Sequence, residues 1–203
     1  VSGELVVTSL VSMATQVVPI LTDFQAMYPD LIIRYLTGDR LFRLEYGEAH
    51  VAIRAGAAPD QPDNVVQKFN RQQAALYASK AYIARCGMPS GPEDFAGHSF
   101  VGHDNVLSRA PAYMWMRENV PPEQIVFRST DVRALDEAVI AGAGIGFMGC
   151  WDAAQHEDLV QILPPKDEWA GAIWLVTHVD LHRTNKVQTF LKFLKERAKD
   201  WTL

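Results

Sequence analysis

Polar side chains follow a short apolar run near the start of the chain, where an α/β protein can bind a small molecule. The group is Ser9-Leu10-Val11-Ser12, between a β-rich run and a segment of helical periodicity. A helix N-terminus offers unpaired N–H groups and a positive dipole end, which favour a carboxylate or another anion. The alternative is that Ser12 only caps the helix. We favour a binding role, because ligands of α/β proteins lie at the carboxyl ends of parallel strands.

Two further polar groups follow the next apolar runs. Thr37-Gly38-Asp39 comes after Leu31–Leu36, and it can contact the same ligand or form an ordinary turn with a helix cap. Arg54 ends the following run, and its guanidinium can bind a ligand anion in a bidentate manner. An ion pair with a nearby acid is the alternative for Arg54. The sequence leaves both choices open.

The second half of the chain offers an opposing set of polar side chains. His103 and Asp104 follow a predicted strand, whereas Thr130 and Asp131 precede a predicted helix. We expect His103, Thr130 and Asp131 to contact the ligand, with a helix cap as the competing role for Thr130. His103 and Asp104 do not form a catalytic pair, because adjacent residues of a strand point to opposite faces.

Three other patterns suggest chemistry but fit other roles better. The glycines of Gly142-Ala143-Gly144-Ile145-Gly146 follow a helix and precede a strand, which reverses the dinucleotide-binding order and favours a helix C-cap and tight turn. His178 and His182 are four residues apart, but the first ends a strand, which argues against a helical metal pair. A plain half-buried thiol is expected for Cys150, although a single bridge to Cys86 stays open. We expect no metal and no cofactor.

Charge and composition exclude several classes of protein. The chain has 203 residues and a net charge of -5, from 19 basic and 24 acidic residues. Apolar runs stay shorter than the ~20 residues of a membrane span, and the first residues lack the pattern of a secretory signal. Two cysteines favour a reduced, cytoplasmic setting. The basic residues are scattered, apart from a group on the last helix, so we do not expect this chain alone to bind DNA. That group is Lys186, Lys192, Lys195, Arg197 and Lys199.

Apolar runs alternate with segments of helical period, which predicts an α/β fold with a largely parallel sheet. Helices are predicted over residues 12–27, with Pro19 inside, and over 40–46, 80–85, 132–141 and 184–201. Strands are predicted over residues 4–9, 31–36, 51–54, 64–69, 74–78, 99–102, 125–129, 145–148, 159–163 and 172–177.

An ordered set of motifs resembles the effector-binding domain of LysR-type transcriptional regulators over essentially the whole chain. No single motif is specific, but their order and spacing match the family. His50 replaces an Asp of the family pattern, and Lys80 replaces a Pro. The motifs are Gly3-Glu4-Leu5, Phe24-Gln25-Ala26-Met27-Tyr28-Pro29, the stretch Gly47–Gly56 with Ala52-Ile53-Arg54, the stretch Ala78–Pro89, and Ala138–Gly146.

The resemblance implies a type-2 periplasmic-binding-protein-like fold: two Rossmann-like lobes joined by two crossover strands, with the effector between them. Lobe I would comprise residues 1–73 plus 178–203, and lobe II residues 74–177. The crossovers would lie near 73–78 and 175–178. The winged helix-turn-helix that precedes this domain in the family is absent from this chain.

The resemblance also implies a function. A bacterial, cytoplasmic regulator would sense a small anionic or aromatic metabolite through this chain and contact DNA only through its missing N-terminal domain. We expect a homodimer, a tetramer in the full-length regulator, and no membrane partner. A solute-binding protein of a transporter is the alternative. An enzyme is not expected, because the sequence offers no nucleophile and base as a set.

Overall fold

The chain forms two units, each built around a five-stranded mixed β-sheet. The computed structural model describes residues 1–38, 44 and 48–201, so Asp39 and the predicted helix over 40–46, apart from residue 44, lie outside the described residues. The first unit contains Val1–Arg71 and, within the described residues, 172–201; the second contains Gln72–Gly171. No helix in the described ranges combines the length and the apolar character needed to cross a bilayer.

The helices and strands follow the predicted alternation. The strands are β1 (Gly3–Ser9), β2 (Leu31–Thr37), β3 (Val51–Ala55), β4 (Asn64–Gln72), β5 (Ala74–Ser79), β6 (Phe100–His103), β7 (Ile125–Ser129), β8 (Ile145–Gly149), β9 (Leu159–Leu163) and β10 (Gly171–His178). The α-helices are α1 (Ala14–Met27), α2 (Lys80–Cys86), α3 (Pro111–Asn119), α4 (Val132–Ile140), α5 (Cys150–Ala153), α6 (Val179–His182) and α7 (Asn185–Arg197). Short 3-10 turns include Val11–Met13 before α1 and Ala198–Trp201 after α7.

The sheet of the first unit has the order β2-β1-β3-β10-β4. Strand β1 runs parallel to β2 and β3, with Ser9 opposite Thr37, so both residues end their strands at the same edge. Helices α1 and α7 bury apolar faces against each other, and the rings of Phe24 and Phe190 lie 5.2 Å apart. The predicted apolar face of α7 is confirmed as buried: Val187, Phe190, Leu191, Leu194 and Ala198.

The sheet of the second unit has the order β7-β6-β8-β5-β9, with β6 parallel to both of its neighbours. An aromatic group fills one side of this sheet, where the rings of Phe147 and Trp169 lie 4.9 Å apart and Trp115 packs edge-on against both. The five-residue strand β8 is buried on both faces, which explains its continuous apolar sequence.

The expectation of a largely parallel sheet is wrong, because both sheets are mixed. Strand β10 pairs antiparallel with β3, and β5 pairs antiparallel with β8 and β9. Strand β10 hydrogen-bonds into the first sheet, and the second unit ends at Gly171, the first residue of β10, whereas the sequence analysis ends the second lobe at residue 177. Helix α3 is an element that the sequence analysis did not predict.

The glycine-rich turn has the structural role that its position predicts. Gly142 adopts φ +85° directly after α4, and the N–H of Ala143 donates to Ala138 O at 2.9 Å, which closes the helix end. At Gly144 a Cβ would lie 2.5 Å from Ser99 O, so the chain needs glycine there for close packing.

His50, which replaces an Asp of the family pattern, accepts a hydrogen bond from the backbone of β1. Strand β3 begins at Val51, and one residue earlier the Nδ1 atom of His50 accepts the N–H of Val6 at 2.9 Å. The N–H of His50 donates in turn to Val6 O at 2.8 Å. Burial, and secondarily the charge of Lys186, lower the pKa of His50, which keeps its ring neutral and able to accept.

This bond predicts a fall in stability at mildly acidic pH. The pKa of His50 is lower in the folded chain than the ordinary ~6.5 of the unfolded chain, so its contribution is present above pH ~6.5 and is lost as the pH falls towards the folded value. The variant His50→Asp keeps an acceptor without this titration. We expect its free energy of unfolding to fall less than that of the parent between pH 7.5 and 5.5.

Urea denaturation at the two pH values measures this difference. The exposed His156 provides the control, and His156→Asn is expected to follow the parent. An equal fall in the parent and in His50→Asp would contradict the role of His50.

Candidate functional site

The corner between β1 and α1 is formed by the predicted residues Ser9 to Ser12. Strand β1 ends at Ser9, and the 3-10 turn Val11–Met13 leads into α1. The residues that precede the turn and the helix are Leu10 and Met13, and neither supplies a side-chain cap. Ser12 lies inside the turn, so the interpretation of Ser12 as a simple helix cap does not describe this corner. The first N–H groups of a helical segment have no acceptor within it, so those of Val11 and Ser12 can serve a ligand.

Ser9 is held by a chain of hydrogen bonds at the end of β1. Its Oγ donates to Leu10 O at 2.8 Å and lies 2.6 Å from Tyr35 Oη. Because the hydroxyl of Ser9 has a single proton, Tyr35 must donate to it. Burial raises the pKa of Tyr35, so the phenol keeps the proton that this donation needs. Ser9 is therefore a positioning residue for the corner, and the donors that remain for a ligand are the turn N–H groups and the Ser12 hydroxyl.

Sequence reasoning missed Tyr35, although a signal for it exists. The residue lies on β2, two positions before Thr37, which pairs with Ser9. Thr37 and Gly38 are exposed at this edge, and the structure brings Thr37 beside Ser9 as the parallel register requires. A parallel pairing of the two runs, assumed from the sequence, would have placed a tyrosine near the serine.

Arg54 lies on β3 opposite Trp174 of β10. Its Nη1 atom is 3.5 Å from Gln61 Oε1, and the indole of Trp174 donates to Gly56 O at 2.9 Å. Arg54 is partly buried as a residue and lies one position before the carboxyl end of β3. Its pairing with a ligand anion and its pairing with an acidic side chain both stay predictions.

His103 ends β6 in the second unit, in register with Ser129 at the end of β7. Its ring stacks on Tyr113 with 4.7 Å between the centroids, and its Nδ1 accepts the N–H of Asn105 at 3.1 Å. With Nδ1 accepting, a neutral His103 presents Nε2–H as a donor. Asp104, next in the chain, is exposed and donates its own N–H to Ser129 O at 3.0 Å. Tyr113 belongs to the unpredicted α3, which is why sequence reasoning missed it.

Asp131 is the N-cap of α4. Its Oδ1 accepts the N–H of Arg133 at 2.9 Å, and its Oδ2 lies 3.0 Å from the Arg133 guanidinium. The hydrogen bonds from Arg133 lower the pKa of Asp131, so its carboxylate is charged and already engaged. Thr130 is exposed just before it and does not supply the cap. Contact of either residue with an effector stays a prediction.

Asp136, on the same helix, is a partly buried acid whose charged form is disfavoured. Burial, followed by the charges of Asp152, Glu137 and Asp131, raises the pKa of Asp136 to about 7. Its Oδ1 atom is buried without a hydrogen-bond partner. Burial and the charge of Asp136 raise the pKa of Tyr113 to about 12. This end of the second unit is therefore a poor environment for a ligand anion.

The cysteines and the histidine pair do not form a reactive or metal centre. Cys86 and Cys150 are both free thiols, and burial raises the pKa of Cys150, which disfavours the reactive thiolate. His182 Nδ1 bonds Thr177 Oγ1 at 2.8 Å, whereas His178 caps α6 through Asp180 N. Across residues 1–38, 44 and 48–201, no three His, Cys, Asp or Glu side chains are grouped to hold a metal ion.

The comparisons with known proteins decide the family. The model of the LysR substrate binding domain matches residues 1–199. The chain belongs to the LysR substrate-binding domain family. It is a LysR effector domain, and this family is not one of enzymes, in agreement with the sequence analysis.

One relative of this LysR effector domain agrees with the family assignment. It is 29% identical over 204 residues to an HTH-type transcriptional repressor from Pseudomonas aeruginosa (strain UCBPP-PA14), covering 96% of this chain and 63% of that protein. The chain thus spans less than two thirds of this relative.

Solved structures of two regulators show the same fold. The CrgA regulatory domain from Neisseria meningitidis has a TM-score of 0.80 at 22% identity, with 97% of this chain and 98% of that chain covered. The AmpR effector binding domain from Citrobacter freundii has a TM-score of 0.74 at 18% identity, with 96% and 98% covered. The periplasmic-binding-protein-like α/β fold expected from the motifs is confirmed.

Asp136 yields a stability prediction for this LysR effector domain. The pKa of its carboxyl rises from the ordinary 3.8 to about 7 on folding, so the folded state loses stability as the pH rises from ~4 through ~7. We expect Asp136→Asn to stabilise the chain at pH 8 by roughly 1 kcal/mol, after allowance for partial exposure, and to have little effect at pH 4.

Chemical denaturation at pH 4 and pH 8 measures both values. Glu137→Gln changes a neighbouring, exposed acid of the same helix and is expected to give a smaller gain at pH 8. A stability gain for Asp136→Asn that is the same at both pH values would show that the charge of Asp136 is not its source.

Proposed function

We propose that this LysR effector domain senses a small anionic or aromatic metabolite for a cytoplasmic, DNA-binding transcriptional regulator. The β1–α1 corner carries the proposal: Tyr35 and Leu10 O together immobilise Ser9, and the turn N–H groups and the Ser12 hydroxyl remain for the ligand. These donors lie at the positive end of α1, which favours a carboxylate or another anion.

The distribution of charge supports an anion site in the first unit. Residues 72–171 hold 7 Lys and Arg against 13 Asp and Glu, so the acidic excess of the chain lies in the second unit. The strand ends of the first unit carry Arg54, whereas Asp131 and Asp136 lie beside those of the second. In the second unit we assign polar contacts to His103 and Thr130 rather than the binding of the ligand anion.

Regulation requires that the ligand bind two states of the regulator with different affinity. A ligand held by the β1–α1 corner can shift the geometry of an oligomer only if that oligomer's states differ at the site. Transcriptional control and contact with DNA belong to the proposal for the whole protein, with DNA bound through a winged helix-turn-helix that precedes this domain.

A ligand screen with two variants tests the role of the corner. Thermal-shift measurement against a panel of small carboxylates, phosphates and neutral aromatics is expected to find stabilising anions. Isothermal titration should then show about tenfold weaker binding for Ser12→Ala, because a hydrogen bond to a charged group is lost. We expect a similar loss of affinity for Tyr35→Phe. In this variant Ser9 no longer accepts a hydrogen bond from residue 35, so the corner is no longer held in its shape.

Ser2→Ala removes an exposed hydroxyl before β1 and serves as the control, with unchanged affinity. Ligands that stabilise the parent and both corner variants equally would exclude the corner as the site. The absence of any stabilising ligand in the panel would contradict sensing of this class of metabolite.

We also propose a homodimer in which apolar outer surfaces of the two units take part. On the first unit, Ile32 of the outer strand β2 is 66% exposed, and a groove of about 270 Å³ runs between α1 and β2. On the second unit, Val126 of the outer strand β7 is 59% exposed and Phe127 is partly exposed. Exposed apolar side chains on outer strands are typical of surfaces that pair with another chain.

Sedimentation velocity tests the dimer. A charge at the outer strand, in Ile32→Lys, is expected to shift the chain towards monomer, because the ammonium group would lose its hydration on association. The more exposed Leu107 lies in a loop, and Leu107→Lys should leave the distribution unchanged. A monomeric parent at high concentration would contradict dimerisation of the isolated domain.

A further inference from the structure

A basic pocket of about 430 Å³ lies on the first unit, between strand β4 and the end of the last helix. Its volume falls in the range of small-molecule sites. None of its residues belongs to the β1–α1 corner. It is lined by Lys68, Phe69, Asn70, Lys195, Ala198 and Lys199.

Contacts between distant parts of the chain hold the walls of this pocket together. The side-chain amide of Asn70 donates to Ala198 O at 3.2 Å, across 128 residues of sequence. The ring of Phe69 packs edge-on against the buried Trp201, with 5.6 Å between the centroids. Strand β4 is an outer strand of its sheet, and these two contacts fix its second half against the helix end.

Positive charge is in excess at the pocket. Lys199 pairs with Glu196 at 2.6 Å. Lys195 instead donates to the neutral Gln67, and Lys68 is exposed. Among the described residues, neither Lys68 nor Lys195 lies within ion-pair distance of a carboxylate. The pocket is therefore cationic on a chain whose net charge is -5.

The end of α7 explains this charge only in part. Lysines near a helix C-terminus interact favourably with its carbonyl groups, which accounts for Lys195 and Lys199. Lys68 lies on β4 and not on that helix, so the carbonyl groups of the helix end do not explain its position. Lys68 lines the same pocket as Lys195, and a bound anion would offset the repulsion between like charges gathered there.

We propose that this pocket is a second ligand site, which binds a small multivalent anion such as an oligophosphate or a tricarboxylate. Each exposed ammonium contributes weakly at physiological salt, on the order of 0.2–1 kcal/mol. A useful affinity therefore requires two or more negative charges on one ligand, which can engage Lys68 and Lys195 together. This site does not depend on the effector proposed for the corner.

Titration of the ¹⁵N-labelled chain with tripolyphosphate, at constant ionic strength, tests the site. The side-chain amide signal of Asn70 and the backbone signals of β4 and α7 are expected to shift. Lys68→Gln and Lys195→Gln should each weaken binding about threefold, and the double variant about tenfold. Lys192→Gln removes an exposed lysine of the same helix that does not line the pocket, and it should bind like the parent.

A parallel titration with citrate separates phosphate from carboxylate ligands, and stronger binding of either compound than of monovalent acetate supports the site. Equal weakening by Lys192→Gln and Lys68→Gln would overturn the proposal, because it would show general attraction to the helix surface. Signal changes confined to residues outside β4 and α7 would overturn it as well.

Discussion

The hydrogen bonds from Tyr35 to Ser9 and from Ser9 to Leu10 O are the constraint on which the candidate site depends. The single hydroxyl proton of Ser9 is used in the bond to Leu10 O. Ser9 was predicted to donate to the ligand, but it instead holds the turn in place. The proposed binding of an anion then depends on N–H groups that the start of a helix leaves without acceptors. A corner already held by these hydrogen bonds would lose little conformational entropy when a ligand binds.

The sequence predicted the strands well because each is a short apolar run between turn residues, as at Leu31–Thr37 and Ile145–Gly149. It predicted the glycines that end α4, because a positive φ is needed at Gly142. It did not predict α3, whose helix lacks a side-chain cap and a clear apolar stripe. It also missed Tyr35 and Tyr113, since their partners come from other strands and helices and depend on tertiary pairing. The mixed sheets were missed because strand direction is set by the path of the chain between the two units.

The two units differ in their charge. The second unit holds the acidic excess, including Asp136, whose carboxyl is buried enough to raise its pKa to about 7. The first unit holds Arg54, the amide-rich corner and the basic pocket at β4 and α7. We therefore propose that the first unit recognises the anion. His50 stabilises the sheet of this unit through the N–H of Val6.

The most direct test of this account is the response of the backbone amide signals of Val11 and Ser12 to a carboxylate, followed by ¹H–¹⁵N NMR with benzoate as the probe. We expect a saturable downfield shift of these two amide protons that is larger than the shifts elsewhere in the chain. Saturable binding of benzoate that leaves both signals in place would contradict it.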